Sequence, residues 1–308
     1  MKWLIIAPDL HNENIQPVEA CLSSLGSEYT EVFIDPEAPK SVFIATVESI
    51  LKFSYCIILD SCMLHGQSNY TFLLGLLLGQ ETNTFIYTGG RYSRQYEKIN
   101  IEGQSYFRSF DTMKALLQYI KNNYELYELE DKQHCAMESL FSQGIPFTSD
   151  SFAHYISKDK TEICELFLAA GMITSAFTSE GIPMICVAAR NDCLEKVEWL
   201  VENGANINAV SKDRGYTAVM DAVWRKNYDI TKYLIDKGAD LSVISGDGQS
   251  ILVLAVGNEN LRIVELLLAS GADPDIPDWM GMSARGYAML FKKPAMIKLM
   301  DKYPPKEK

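Results

Sequence analysis

Four glycines in the second half of the chain, Gly171, Gly204, Gly238 and Gly271, follow one another at intervals of 33, 34 and 33 residues. A second series, Gly181, Gly215, Gly248 and Gly281, runs in phase with it at 34, 33 and 33. Two glycine ladders in register mean a tandem repeat, and a period of this length means stacked helical hairpins, because one such unit cannot bury its apolar face alone. The intervening segments agree: "VEWLVENGANINAV", "TKYLIDKGADLSVI" and "VELLLASGADPDIP" each place an apolar helical run before Gly-Ala-Asx. Glycine after such a run supplies a left-handed helix cap without the steric cost other residues carry. Ala188, Ala222, Ala255 and Ala288 recur at one register, where a small side chain lets neighbouring helices approach closely.

These residues resemble the ankyrin repeat over about residues 148–303, most closely from Thr178, with Ala188-Ala189-Arg190-Asn191 on a first helix and Val197, Trp199, Leu200 and Val201 on a second. The resemblance implies about five repeats including caps. The segment from Thr148 to Gly171 lacks the first glycine and the Ala-Ala pair and is expected to be a cap. At the other end, Pro294 is expected to interrupt the inter-helix turn and leave a truncated outer helix. The one extra residue lies between Gly204 and Gly215, in the loop carrying Ser211, Lys212, Asp213 and Arg214. Insertions in such arrays tend to map to the binding face.

From Met1 to about residue 123, short apolar runs alternate with helical ones. Lys2–Ala7, Thr30–Ile34, Tyr55–Asp60, Thr84–Thr88 and Ser105–Phe110 read as strands, and Pro17–Leu25, Val42–Phe53, Tyr70–Leu78 and Thr112–Asn122 as helices. Such alternation predicts a parallel sheet with helices on both faces, and five strands suggest a flavodoxin-like order. Ligands of these folds bind past the carboxyl ends of the strands. That places Pro8 to His11 with Asp9, then Asp35, Asp60 to Cys62, and the loop "TGGRYSRQYEK" in view. Gly89 and Gly90 followed by Arg91 and Arg94 are placed to approach a phosphate through backbone N–H groups and two cations. A plain glycine turn with solvated charges accounts for the same residues, and neither standard phosphate-cradle motif is present.

The first strand's "IIAP", the aspartate ending the third, and "NYTFLLGLLLGQETNTFIYTGG" resemble nucleoside 2-deoxyribosyltransferases and, more distantly, TIR-type NAD-cleaving domains. The resemblance implies a catalytic glutamate at the position held here by Leu73. Leucine supplies no nucleophile and no charge, so turnover of this kind is not expected unless Asp9, Asp60 or Glu81 provides the acid.

Residues 124–147 read as a helical junction, "YELYELEDK" having no Gly, Pro or Ser to make it flexible. The following run, Cys135 to Phe141, has an apolar side suited to covering the first repeat. A net charge of −12, with both halves acidic, argues against nucleic-acid binding. The seven cysteines lie within apolar runs without a CxxC pair and read as buried, reduced thiols of a cytoplasmic protein. No membrane-spanning stretch, metal site or cofactor is expected. The four histidines are scattered, and Asp60, Cys62 and His65 form only a loose cluster.

The expected function is therefore to bind a protein partner. The concave face would use Tyr216, Trp224, Trp279 and Met280 as anchors, with Arg190, Asn191, Lys212, Asp213, Arg214 and Arg225 as a locally basic rim. The alternative is a nucleotide- or NAD-binding sensor, or a glycosyl-transfer or hydrolysis enzyme, in the first domain and targeted by the repeats.

Overall fold

A computed structural model describes residues 1–8, 11–34, 53–59, 68–90 and 106–303. Contacts divide the chain into two compact units, Met1–Lys132 and Gln133–Lys308.

The first unit contains β1 (Lys2–Ala7), α1 (Ile15–Ser24), β2 (Glu28–Phe33), β3 (Tyr55–Leu59), α2 (Ser68–Gly79), β4 (Asn83–Tyr87) and β5 (Phe107–Phe110). It also contains the start of α3, a helix running from Met113 to Ser142. All strand pairs are parallel, in the order β2-β1-β3-β4-β5. That is the flavodoxin-like order expected from five strands. In β1 and β3 nearly every residue is buried, as strands covered on both faces require.

Period-two alternation sorts their side chains. Leu4, Ile6, Cys56, Ile58 and Ile86 face α2, meeting Leu73 and Leu77. Trp3, Ile5, Tyr55, Ile57, Leu59 and Phe85 face α1 and α3, meeting Val18, Leu22, Leu116, Ile120 and Tyr127. Most of the expected helix Val42–Phe53 falls outside the described residues.

The second unit continues α3 and adds five helix pairs. The inner helices are α4 (Ser149–Ser157), α6 (Met184–Arg190), α8 (Ala218–Trp224), α10 (Ile251–Gly257) and α12 (Ala284–Leu290). The outer ones are α5 (Thr161–Ala169), α7 (Leu194–Glu202), α9 (Tyr228–Asp236), α11 (Leu261–Ala269) and α13 (Pro294–Lys302). Ala188, Ala222, Ala255 and Ala288 are fully buried where successive inner helices meet. Ala136 and Leu140, late in α3, join the same core and cover the first pair.

Between inner and outer helix the chain passes through the left-handed region at Asp159, Asp192, Lys226, Glu259 and Lys292, none of them glycine. Asn227 and Asn260 then cap the outer helix, their Oδ1 atoms accepting from Ile230 and Ile263 N–H at 3.0 and 3.1 Å. Such local bonds offset the steric cost of positive φ.

Two expectations are corrected. Pro294 does not interrupt a turn; it opens α13, where a missing N–H costs nothing and a fixed φ is already helical. Nor is that helix truncated, since its nine residues match α5, α7, α9 and α11, and Met296 and Met300 bury into the core. The thiols also differ from expectation, because Cys135 is exposed on α3 and Cys193 only partly buried. Among the described residues no helix is long and apolar enough to cross a membrane.

Candidate binding face

The finger loops that precede the inner helices stack through their backbones. Lys212 N–H donates to the Gly181 carbonyl at 3.0 Å, and Gly246 N–H to the Arg214 carbonyl at 2.7 Å. A Cβ on Gly215 would run into the Gly246 backbone, and one on Gly248 into the Trp279 indole. The second glycine ladder is therefore needed for approach as well as for its positive φ. Asp278 fixes the last finger, accepting from the N–H groups of Met280 and Met282 and from the Tyr287 hydroxyl.

The finger with the extra residue is held by a charged cluster. Arg190, the last residue of α6, donates through Nη1 and Nη2 to the two oxygens of Asp213 at 2.8 and 3.0 Å, and through Nη2 to Ser211 Oγ at 3.1 Å. Its Nε donates to Asp221 Oδ2 at 2.9 Å. Asp221 lies on α8 and is fully buried, with no hydrogen-bond partner for Oδ1 among the described residues. Burial pushes its carboxyl up to about 6 against the pull of Arg190, whereas the hydrogen bond from Arg190 holds Asp213 well below the carboxylate range.

The cluster corrects the expected basic rim. The charge of Arg190 is taken up by Asp213 and Asp221, and Arg225 pairs with Asp192 at 2.6 Å. Lys212 and Arg214 have no such carboxylate among the described residues. Asn191 is exposed, with its Nδ2 donating back to the Val187 carbonyl at 2.8 Å.

The aromatic residues divide as well. Trp224 ends α8 with 49% of its surface exposed. Side chains on a helix lean toward its N-terminus. The indole accordingly meets Tyr216 edge-on at 6.5 Å, and the Arg214 guanidinium stands 5.9 Å from the Tyr216 ring on the next step. Tyr216 itself is only 5% exposed, so it is a support and not an anchor. Its backbone is tied to Ser211 in both directions, which draws the ring inward. Trp279 and Met280 remain 76% and 82% exposed on the last finger, although one side of Trp279 rests on Gly248.

Sequence reasoning missed two buried charges. Asp221 stands in "AVMDAVW", where a carboxylate among apolar neighbours was itself the signal. Lys196 in α7 is also fully buried, with Nζ bonded to Thr161 Oγ1 and 3.2 Å from Asp159.

At the strand ends of the first unit, Asp9, Asp60, Arg91 and Arg94, with Cys62 and His65, lie outside the described residues. Gly89 and Gly90 both have positive φ. Gly90 N–H already faces Thr88 Oγ1 at 3.4 Å, and that hydroxyl donates to Asp111 Oδ1 at 2.9 Å. A carboxylate so close to the turn opposes an incoming phosphate. Leu73 is fully buried against the sheet, so the side chain at that position faces core and not a cleft.

The family profile "Ankyrin repeats (3 copies)" matches residues 153–245, 185–278 and 219–304 in overlapping registers. Residues 153–304 are ankyrin repeats. The chain is 32% identical over 182 residues to an ankyrin repeat-containing protein of Treponema pallidum (strain Nichols), covering 59% of this chain and 61% of that one. It is 34% identical over 94 residues to the B-cell lymphoma 3 protein homolog of Mus musculus, covering 30% and 21%. Ankyrin repeat and SAM domain-containing protein 6 of Rattus norvegicus is 32% identical over 90 residues, covering 29% and 10%. The chain thus spans less than two thirds of these relatives.

Proposed function

We propose that the ankyrin array binds a protein partner across its inner face, with Trp224 as the central anchor and Trp279 and Met280 as a second contact on the last finger. The observation that carries this reading is the half-exposed indole of Trp224, held edge-on by a buried tyrosine. A large aromatic fixed before binding loses little entropy when it is covered. The ordering extends outward. Asn258 Nδ2 donates to the Val223 and Trp224 carbonyls at 3.0 and 3.3 Å, and the Arg190 cluster pins the neighbouring finger. A stacked solenoid with bonded fingers presents one surface instead of an ensemble.

With it we propose an α/β domain over about residues 1–123, a helical junction over 124–147 and the repeats over 148–303, working in the cytoplasm. The exposed free thiol of Cys135 suits a reducing compartment. The test is affinity capture from native lysate with the wild-type protein and a Trp224→Ala, Trp279→Ala double variant of equal thermal stability. A prey lost from the variant supports the reading, and equal recovery of every prey refutes it.

A further inference from the structure

The last residues of the equal-length helices α8, α10 and α12 occupy one register: Trp224, Gly257 and Leu290. The first and last are bulky and exposed, Leu290 to 62%. Between them Gly257 is exposed, has no positive φ, and a Cβ built on it meets nothing within 4 Å. Neither backbone conformation nor crowding requires glycine there, and glycine in a helix costs about 0.8–1.0 kcal/mol relative to alanine. Its effect is to leave a notch with an indole on one side and an isobutyl group on the other. Asn258, the next residue, ties the notch floor to the carbonyl of Trp224.

The notch lies at one end of a polar track. From Trp224 the path runs to Tyr216 at 6.5 Å and on to Arg214 at 5.9 Å, and Lys212 is exposed on the same finger. These two are the cations of that finger's rim left without a carboxylate partner among the described residues, since Asp213 is committed to Arg190. An extended chain advances about 3.3 Å per residue, so three or four residues cover the two steps from the indole that walls the notch to the cation.

Resting on the partner-binding reading, we infer that the partner contributes an extended segment in which a bulky apolar residue and an acidic residue stand three or four positions apart. The apolar side chain fills the notch over Gly257, between Trp224 and Leu290. The carboxylate pairs with Arg214 and Lys212. Gly257 and Arg214 are thus specificity-determining residues, the first by shape and the second by charge.

The test is selection from a displayed library of random dodecapeptides on the full chain, followed by fluorescence anisotropy with synthetic peptides of the enriched sequence. The expected selection carries Leu, Ile, Phe or Met three or four positions from Asp or Glu, in either chain direction. Gly257→Leu is expected to weaken binding at least tenfold while leaving Tm unchanged or higher, because the site is open and leucine favours a helix. Arg214→Glu should weaken it similarly, and a peptide with Lys in place of the acid should recover binding to that variant.

Selection of no peptide, or of peptides without this pattern, overturns the inference, as does unchanged affinity in Gly257→Leu. If Trp224→Ala still loses its native prey in that event, the partner-binding reading stands and only the segment chemistry falls. If the Trp224→Ala, Trp279→Ala double variant loses nothing, both fall.

Discussion

Replacing Arg190 by alanine removes the guanidinium that hydrogen-bonds Asp221, a fully buried carboxylate. It also frees Asp213 and Ser211 and so unpins the finger. Breaking a buried pair from one side costs about 3–5 kcal/mol, because a charge stays behind in a medium that does not solvate it. That loss depends on pH. Burial already raises Asp221 to about 6 with the arginine present, and without it the carboxyl rises further. A carboxyl with a folded pKa above its unfolded one takes up its proton first in the folded state, so the fold gains stability as pH falls between the two values.

In the variant that window opens at a higher pH than in the wild type. The deficit therefore shrinks by at most about 1.4 kcal/mol for each unit by which pH falls toward 6. Urea unfolding followed by circular dichroism at pH 7.5 and 6.0 measures this for the wild type, Arg190→Ala, Asp221→Ala and the double variant. Arg190→Ala should lose most at pH 7.5, and the double variant should lose less than the sum of the singles. A loss under about 1 kcal/mol, equal at both pH values and additive, would refute the argument that these two groups form one buried unit.

Gly215→Ala should destabilise clearly more than Gly204→Ala in the same unfolding assay. Both positions have positive φ, worth about 1–2 kcal/mol, but only the first meets backbone, that of Gly246. Lys226→Gly should raise stability by about 0.5–1 kcal/mol, since it relieves a left-handed lysine with φ of 61°. Leu73→Glu should unfold the first unit, seen as loss of cooperative melting, because the new carboxylate would sit against Leu4, Ile58 and Ile86 without a partner. Cys135 should react with a maleimide in the native protein well before Cys56 or Cys186, whose thiols burial pushes far up; equal labelling would contradict the burial pattern.

The glycine ladders and the alanine register were legible because each reflects a constraint the sequence cannot evade, a positive φ or a close helix approach. The parallel pairing followed from strand–helix alternation, since parallel strands need crossovers, and the flavodoxin-like order from the count of five strands. What escaped was pairing. Nothing in the spacing of Arg190, Asp213 and Asp221 announces that three repeat elements converge, so of the four cations of a rim that reads as basic, Arg190 and Arg225 turn out to be paired. Tyr216 escaped for a related reason: a residue on a finger loop reads as exposed until Ser211 is seen folding the loop over it. Pro294 reads as a breaker in isolation, but at the first position of a helix the same ring is an asset.

The most direct measurement is photo-crosslinking in living cells from a benzoylphenylalanine placed at position 224, with position 232 on the outer helix α9 as the control. Lys232 is exposed, so both probes are accessible. A discrete polypeptide adduct is expected from position 224 and none from position 232. Adducts of equal yield from both positions, or none from 224, would contradict it.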